Sequence, residues 1–236
     1  MTNSQNPNRE LLLLAVNQLG DLVNEMVFIG GCATGLLITD VAAPPIRATK
    51  DVDAIVQVAT KADYYKLSER LREQGFVEDT SEGAPLCRWV TKNVTLDVMP
   101  TEAEILGFGN QWYAAAMDNA EAISLIENVD IRMVSAPYFL ITKLEAFDGR
   151  GNGDYRLSHD VEDMIAVMDG RPELAEEVRQ TEPALVDELA TRFQELLEDQ
   201  QFIDSVPGHM PPDEVSQSRV EKVFNTIRKI SDSDNK

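Results

Sequence analysis

The chain has 236 residues, of which 43% are hydrophobic and 26% are charged, as in ordinary globular proteins. No apolar run approaches the roughly 18 residues of a membrane span, and the polar start is unlike a signal peptide. The formal net charge of −20 argues against a large interface with nucleic acid, but it allows a small nucleotide held with a divalent cation, or a basic protein partner. Two cysteines without CxxC spacing and two histidines make a zinc site unfavoured and indicate reduced thiols, so we expect a cytoplasmic protein.

The beginning of the chain predicts a helix, a strand and a short helix around a glycine pair. Apolar residues recur at helical spacing over residues 9–26, and the apolar run 27–29 predicts a strand that ends in Gly30-Gly31. Residues 32–38 are mostly small and apolar, and they predict the helix that follows. Such a turn lets the backbone approach a ligand, and the free N–H groups of the next helix can bind a phosphate. The alternative is a tight turn without a ligand.

Two aspartates begin the next predicted strand, residues 51–58. Residues 40–49 before it contain two prolines and predict a loop, which is either a lid over a site or a surface insertion. Since residues two apart share one face of a strand, Asp51 and Asp53 would project together while Val52 enters the core. Adjacent carboxylates repel each other unless a cation or a shared proton relieves them, and Mg²⁺ is the usual cation. The alternative is a solvated edge strand.

A third aspartate lies in a predicted hairpin. Strands over residues 87–91 and 94–99 are joined by Lys92-Asn93, which suits a tight turn. Asp97 stands among apolar and β-branched residues, where a carboxylate is costly without a partner. If its strand lies beside the strand of the other two aspartates, three carboxylates meet at one place. Otherwise Asp97 is an outward-facing acid on an edge strand.

The remaining elements are mostly helical. They are helices over residues 62–74, 120–127, 138–147, 159–168, 183–198 and 213–230, and strands from residue 76 and over 131–134. Lys143 lies among the apolar residues of one helix, and Asp160 lies in the first turn of the next, beyond a glycine-rich loop. Taken alone, Lys143 could be a lysine whose charged end reaches solvent, and Asp160 a favourable acid at a helix N-terminus.

These residues carry a resemblance to a known family. The glycine pair followed by Thr-Lys-Asp-Val-Asp resembles the nucleotidyltransferase fold of the polymerase-beta type, and more narrowly the AbiEii/AbiGii-type nucleotidyltransferases, many of which are toxins of toxin–antitoxin pairs. Lys143 and Asp160 resemble a second family motif, in which a lysine on one helix and an acid early in the next complete the active site. The chain departs from the family in its longer interval before Asp51, in Cys32 where a serine is frequent, and in His159 where an arginine commonly precedes the acid.

The resemblance implies a role for each matching residue. The metal ligands for Mg²⁺ or Mn²⁺ would be Asp51, Asp53 and Asp97, with Asp97 binding a second metal or acting as a base. The residues in contact with the nucleoside triphosphate (NTP) would be Gly30, Gly31, Thr49, Lys50 and Lys143. The catalytic set would be Asp51, Asp53, Asp97, Lys143 and Asp160, with Asp160 positioning Lys143 or the acceptor.

We therefore expect an α/β (α+β) fold. A nucleotidyltransferase-like mixed sheet with flanking helices would occupy residues 1–107, and a mostly helical domain, residues 108–236, would contribute Lys143 and Asp160 to the site. The expected function is metal-dependent transfer of a nucleotide from an NTP to RNA, such as tRNA, or to a protein, with no membrane involved. If the chain is a toxin, an antitoxin is a further partner. The alternatives are an enzyme that adds a nucleotide to a small molecule such as an antibiotic, and a catalytically inactive interaction protein of the same fold.

Overall fold

The computed structural model describes residues 6–232, which divide into two compact units. The sheet unit comprises residues 6–33 and 47–135, and the helical unit comprises residues 34–46 and 136–232. The expected fold class, a mixed sheet with flanking helices followed by a mostly helical C-terminal part, is confirmed. The division at residue 107 stays a prediction. Every helix in residues 6–232 is too short or too polar to cross a membrane.

The sheet unit is built around seven strands. The first elements in chain order are α1 (Arg9–Leu19), a 3-10 helix (Gly20–Glu25), β1 (Met26–Ile29) and α2 (Gly31–Leu37), which begins at the glycine pair and whose residues 34–37 are assigned to the helical unit. The sheet unit continues with β2 (Val52–Val56), α3 (Lys61–Glu73), β3 (Val77–Glu78), β4 (Arg88–Val90), β5 (Thr95–Pro100), α4 (Ala103–Leu106), α5 (Tyr113–Asp118), β6 (Glu121–Ile126) and β7 (Val129–Met133). The strands form one sheet in the order β3-β4-β5-β2-β1-β7-β6. Strand β2 is central, because it pairs parallel to β5 and antiparallel to β1.

The first helix is shorter than predicted. The predicted single helix over residues 9–26 is wrong, because α1 ends at Leu19. The next residue, Gly20, has φ 56°, a positive value that glycine adopts more readily than residues with a Cβ atom. The chain then continues as a 3-10 helix, and Met26 already belongs to β1. Leu22 and Val23 in the 3-10 helix are buried. The apolar spacing therefore continues past the end of α1, and the spacing alone does not indicate where α1 ends.

The predicted helix over residues 120–127 is also wrong, since this segment forms β6. It pairs antiparallel with β7 through a two-residue turn, with Ile126 opposite Val129. Asn128 in that turn has φ 64°, a left-handed conformation that asparagine tolerates better than most residues. Pairing with a neighbouring strand therefore overrides the weak helical preference of the segment.

The helical unit consists of helices α6 (Ala136–Arg150), α7 (His159–Gly170), α8 (Leu174–Arg179), α9 (Pro183–Glu198), α10 (Gln200–Ser205), a 3-10 helix (Val206–His209), α11 (Glu214–Gln217) and α12 (Val220–Ser231). Helix α12 packs against α9 and α7, and α6 packs against α7. The predicted single helix over residues 213–230 is wrong, because it is interrupted between α11 and α12. Asp213 does cap α11, where its carboxylate accepts the N–H of Ser216.

Asp40 connects the segment 34–46 to the end of the helical unit. Its Oδ2 accepts hydrogen bonds from Arg219 Nη2 at 2.7 Å and from Lys222 Nζ at 2.9 Å. Arg219, at the break before α12, also donates from Nε to the buried Asp169 at 2.9 Å. The hydrogen bonds from Arg219 and Lys222 hold the pKa of the Asp40 carboxyl well below its usual range.

We expect Asp40→Asn to lower the free energy of unfolding at pH 7 by about 1–3 kcal/mol, because two charge-assisted hydrogen bonds are weakened. The folded pKa lies below the unfolded value of about 3.9, so the stabilisation is present above that pH and is lost as the pH falls further. Urea unfolding at several pH values between 3 and 7 should show a shallower acid decline for the variant than for the wild type. Asp187→Asn, at an exposed acid on α9, is the control, and an equal decline in all three proteins would contradict the expectation.

Candidate active site

Strands β2 and β5 bring the predicted aspartates to one face of the sheet. In their parallel pairing, Asp53 lies directly opposite Asp97. Val52 is fully buried on the other face, and Asp51 immediately precedes the strand. The prediction that the strand of Asp97 lies beside that of Asp51 and Asp53 is confirmed. Asp97 is buried, whereas Asp51 and Asp53 are partly exposed.

An arginine that the sequence analysis did not single out is paired with these acids. Arg88 on β4 lies opposite Asp97 on β5, and its Nε and Nη2 each donate to a different oxygen of Asp97 at 2.8 Å. Its Nη2 also donates to Asp51 Oδ2 at 3.1 Å. The hydrogen bonds and charge of Asp97 raise the pKa of the guanidinium above its already high value. The predicted turn at Lys92-Asn93 was the available signal, because a two-residue turn there pairs residue 88 with residue 97.

Removing the Arg88 guanidinium should destabilise the protein, because Asp97 would keep its buried charge without this partner. We expect Arg88→Met to lower the free energy of unfolding by about 2–3 kcal/mol, less than for a fully buried pair because the Arg88 side chain is 26% exposed. Asp97→Asn added to it should recover part of the loss, because the unpaired buried charge is then gone. Urea unfolding of both single variants and the double variant measures the coupling. Arg72→Met, which breaks the exposed pair with Glu78, is the control; strictly additive effects at residues 88 and 97 would contradict the prediction.

The glycine pair makes room for one of the acids. Gly30 has φ 69°, and a Cβ atom at this position would overlap the Asp53 carboxylate. Gly30 therefore allows Asp53 to lie against the turn. Gly31 begins α2 and is buried, and the Cys32 thiol donates to the carbonyl of Ile29 at 3.0 Å.

The segment before β2 orients Asp51. Thr49 Oγ1 donates to Asp51 Oδ1 at 2.9 Å, so a predicted nucleotide contact instead touches a predicted metal ligand in this structure. The side chain of Asn8, a residue absent from the sequence-based site, accepts the N–H of Thr49 at 2.8 Å. Lys50, between Thr49 and Asp51, is exposed to solvent.

The three carboxylates offer the type of ligand atom that a divalent cation needs, because Mg²⁺ and Mn²⁺ prefer oxygen ligands. In this structure, however, several of these oxygens already accept hydrogen bonds. Both oxygens of Asp97 accept hydrogen bonds from Arg88, and the oxygens of Asp51 are taken by Thr49 and Arg88. Across residues 6–232, no three His, Cys, Asp or Glu side chains are grouped closely enough to hold one ion. Arg88 offsets the charge of both Asp97 and Asp51, so a cation bound by either would replace hydrogen bonds present in this structure. Asp51 and Asp53, the two partly exposed acids, are the residues that could hold a cation, with Asp51 giving up some of these contacts.

The second predicted pair lies in the helical unit and is in direct contact. Lys143 Nζ on α6 donates to Asp160 at 3.0 Å and to Asp163 at 2.7 Å, and all three side chains are buried. The sequence analysis missed Asp163, although its position three residues after Asp160 places both acids on one helix face. Ser158 caps α7 by accepting the N–H of Val161.

A guanidinium completes this cluster. Arg150, at the end of α6, donates to both oxygens of Asp160, at 2.9 and 2.7 Å. His159, the residue before Asp160, is exposed and contacts Glu162. The guanidinium that pairs with Asp160 therefore comes from Arg150 and not from position 159. Burial raises the pKa of Asp160, but the hydrogen bond from Arg150 and the charges of Lys143 and Arg150 outweigh it, and the pKa lies below its usual value.

Each predicted group is thus assembled within its own unit. The sheet unit holds Gly30, Gly31, Thr49, Lys50, Asp51, Asp53 and Asp97, and the helical unit holds Lys143 and Asp160. Their roles toward metal, nucleotide and acceptor stay predictions.

Comparisons with known proteins give a likeness to several solved structures, two of them from Helicobacter pylori. One is JHP933 from Helicobacter pylori, 12% identical, with 98% of this chain and 94% of that chain covered and a TM-score of 0.48. The other is an H. pylori protein called a "putative nucleotidyltransferase", 13% identical, with 97% and 95% covered and a TM-score of 0.45. No family model matches the chain, and no curated protein matches it. At these identities and scores the likeness carries no functional argument.

Proposed function

We propose that the chain is a metal-dependent nucleotidyltransferase. The observation that carries this proposal is the pairing of Asp53 with Asp97 across β2 and β5, with Asp51 two residues from Asp53 on the same strand segment. Carboxylates so placed on one face repel each other unless positive charge is present. Arg88 supplies one such charge, through its hydrogen bonds to Asp97 and Asp51.

The reaction would join a nucleotide to an acceptor hydroxyl. The hydroxyl oxygen attacks the α-phosphorus of an NTP, its proton passes to a base, and the bond to pyrophosphate breaks. A divalent cation held by Asp51 and Asp53 would supply positive charge to the phosphate oxygens. Thr49 would keep the Asp51 carboxylate oriented, and Gly30 would keep space for that of Asp53. Either role proposed for Asp97, base or ligand of a second cation, would compete with Arg88 for its oxygens.

The acceptor is the finer part of the proposal. RNA or protein is the first choice, in keeping with an AbiEii-type toxin, and a small molecule such as an antibiotic is the alternative. The net charge of −20 disfavours a broad RNA footprint and favours an acceptor that enters a local site.

A second candidate is a catalytically inactive interaction protein of the same fold. The Arg88–Asp97 pair favours it, because a guanidinium can neutralise the acids without any metal. Such a protein would bind neither Mn²⁺ nor NTP at this face.

The test is transfer of label from each of the four α-³²P nucleotides, with Mg²⁺, into RNA, protein and small molecules of a cell lysate, using wild-type and Asp53→Ala protein. We expect a labelled product that disappears with Asp53→Ala and with EDTA, and its size and nuclease or protease sensitivity identifies the acceptor. Transfer that persists undiminished in Asp53→Ala would overturn the assignment. Absence of label together with absence of nucleotide binding would favour the inactive protein.

A further inference from the structure

We propose that Asn8 is a positioning residue that sets the placement of the glycine turn and of the segment leading into β2, the two segments that contact Asp53 and Asp51. This inference rests on the proposed function. Asn8 directly precedes α1, far in sequence from the motif residues, and its side chain is 1% exposed. It makes hydrogen bonds to both the glycine turn and the segment that leads into β2.

The contacts of the Asn8 amide join three backbone positions. Its Nδ2 donates to the carbonyl of Gly31 at 3.1 Å and to that of Arg47 at 3.3 Å. Its Oδ1 accepts the N–H of Thr49 at 2.8 Å. The glycine turn and the strand entry, more than 15 residues apart in sequence, are therefore linked through one buried side chain.

From these backbone positions the link reaches the acids. Thr49, whose N–H is fixed by Asn8, donates its hydroxyl to Asp51. Gly31, whose carbonyl is fixed by Asn8, follows Gly30, against which the Asp53 carboxylate lies. A shift at Asn8 would thus move both carboxylates relative to each other.

The chemistry of the contacts requires an amide. A primary amide offers two N–H donors and an acceptor oxygen, and all three are used here. An aspartate of the same shape could accept from Thr49 but would turn an oxygen toward two carbonyls, so it would repel them. Alanine would leave the N–H of Thr49 and both carbonyls without this partner, the carbonyl of Gly31 in a buried place and the other two groups in partly buried ones.

The test compares Asn8→Ala and Asn8→Asp with a matched control, Asn24→Ala. Asn24 is an exposed asparagine of the same unit whose amide also donates to a backbone carbonyl, that of Asp21. The first readout is the dissociation constant for Mn²⁺ in the presence of NTP, by electron paramagnetic resonance, at a temperature where circular dichroism shows each protein folded. We expect it to rise about tenfold or more in both Asn8 variants and to stay unchanged in Asn24→Ala.

Thr49→Val separates positioning from stability. It removes only the hydroxyl that orients Asp51, so it should weaken Mn²⁺ binding without a matching loss of melting temperature. Combined with Asn8→Ala, it should weaken binding by less than the product of the single effects, because both act on the same carboxylate. Asn8 variants that melt earlier but bind Mn²⁺ as the wild type does would overturn the inference, as would fully multiplicative effects. Wild-type protein that binds neither Mn²⁺ nor NTP would overturn the proposed function and this inference together.

Discussion

Replacing Lys143 with methionine should lower the free energy of unfolding by about 3–5 kcal/mol, the range for breaking a buried ion pair by removing one partner. The Lys143 ammonium lies 3.0 Å from Asp160 and 2.7 Å from Asp163, and its side chain is 7% exposed. Methionine keeps the volume of the aliphatic chain but removes the ammonium that the two buried carboxylates share, while Arg150 still donates to Asp160. Urea unfolding at pH 7 measures the loss.

The control for this prediction is Lys66→Met. Lys66 also pairs with an aspartate, Asp63, but its side chain is 73% exposed, so we expect a loss of no more than about 1 kcal/mol. Adding Asp163→Asn to Lys143→Met should restore part of the stability, because one of the two buried carboxylates that lose the ammonium then carries no charge. Equal losses for the Lys143 and Lys66 variants would contradict a buried, strongly coupled cluster.

Replacing Gly30 with alanine should abolish Mg²⁺-dependent transfer and cost about 1–3 kcal/mol of stability. Two effects combine. The backbone at φ 69° is strained for any residue with a Cβ atom, and that atom would overlap the Asp53 carboxylate. To relieve the overlap, Asp53 or the turn must move, which displaces the proposed cation ligand.

Gly83→Ala isolates the backbone effect. Gly83 lies in the same unit at φ 82°, and a Cβ atom there would have no neighbour within 4 Å. We expect the same strain without a change in Mn²⁺ affinity or transfer. If Gly30→Ala and Gly83→Ala have the same Mn²⁺ affinity and the same stability, the prediction that the overlap with Asp53 impairs the site is contradicted.

The sequence predicts much of the central sheet, because its signals are local. Asp97 stood out as a carboxylate in an apolar strand, and the alternation of Asp51, Val52 and Asp53 gave the face on which the acids project. A two-residue turn at Lys92-Asn93 also determines the register of the hairpin, in which Arg88 pairs with Asp97. The sequence alone therefore suffices to predict that Arg88 lies opposite Asp97.

Other parts of the site depend on contacts that no local pattern encodes. Asn8 meets Gly31 and Thr49 at separations of 23 and 41 residues, and a single polar residue before a helix looks the same whether it is buried or exposed. The local sequence of β6 predicts a helix, since the pairing with β7 that makes this segment a strand cannot be read from it. Apolar spacing likewise could not show where α1 gives way to a 3-10 helix.

In the proposed function, Asp51 and Asp53 bind a divalent cation together with a nucleoside triphosphate. A titration with Mn²⁺, followed by electron paramagnetic resonance in the presence of the four NTPs, tests it most directly on wild-type and Asp53→Asn protein, since asparagine keeps the size of the side chain and removes its charge. We predict NTP-dependent Mn²⁺ binding by the wild type and a loss of affinity of about tenfold or more in Asp53→Asn. Equal Mn²⁺ binding by the two proteins, or none by the wild type, would contradict the claim.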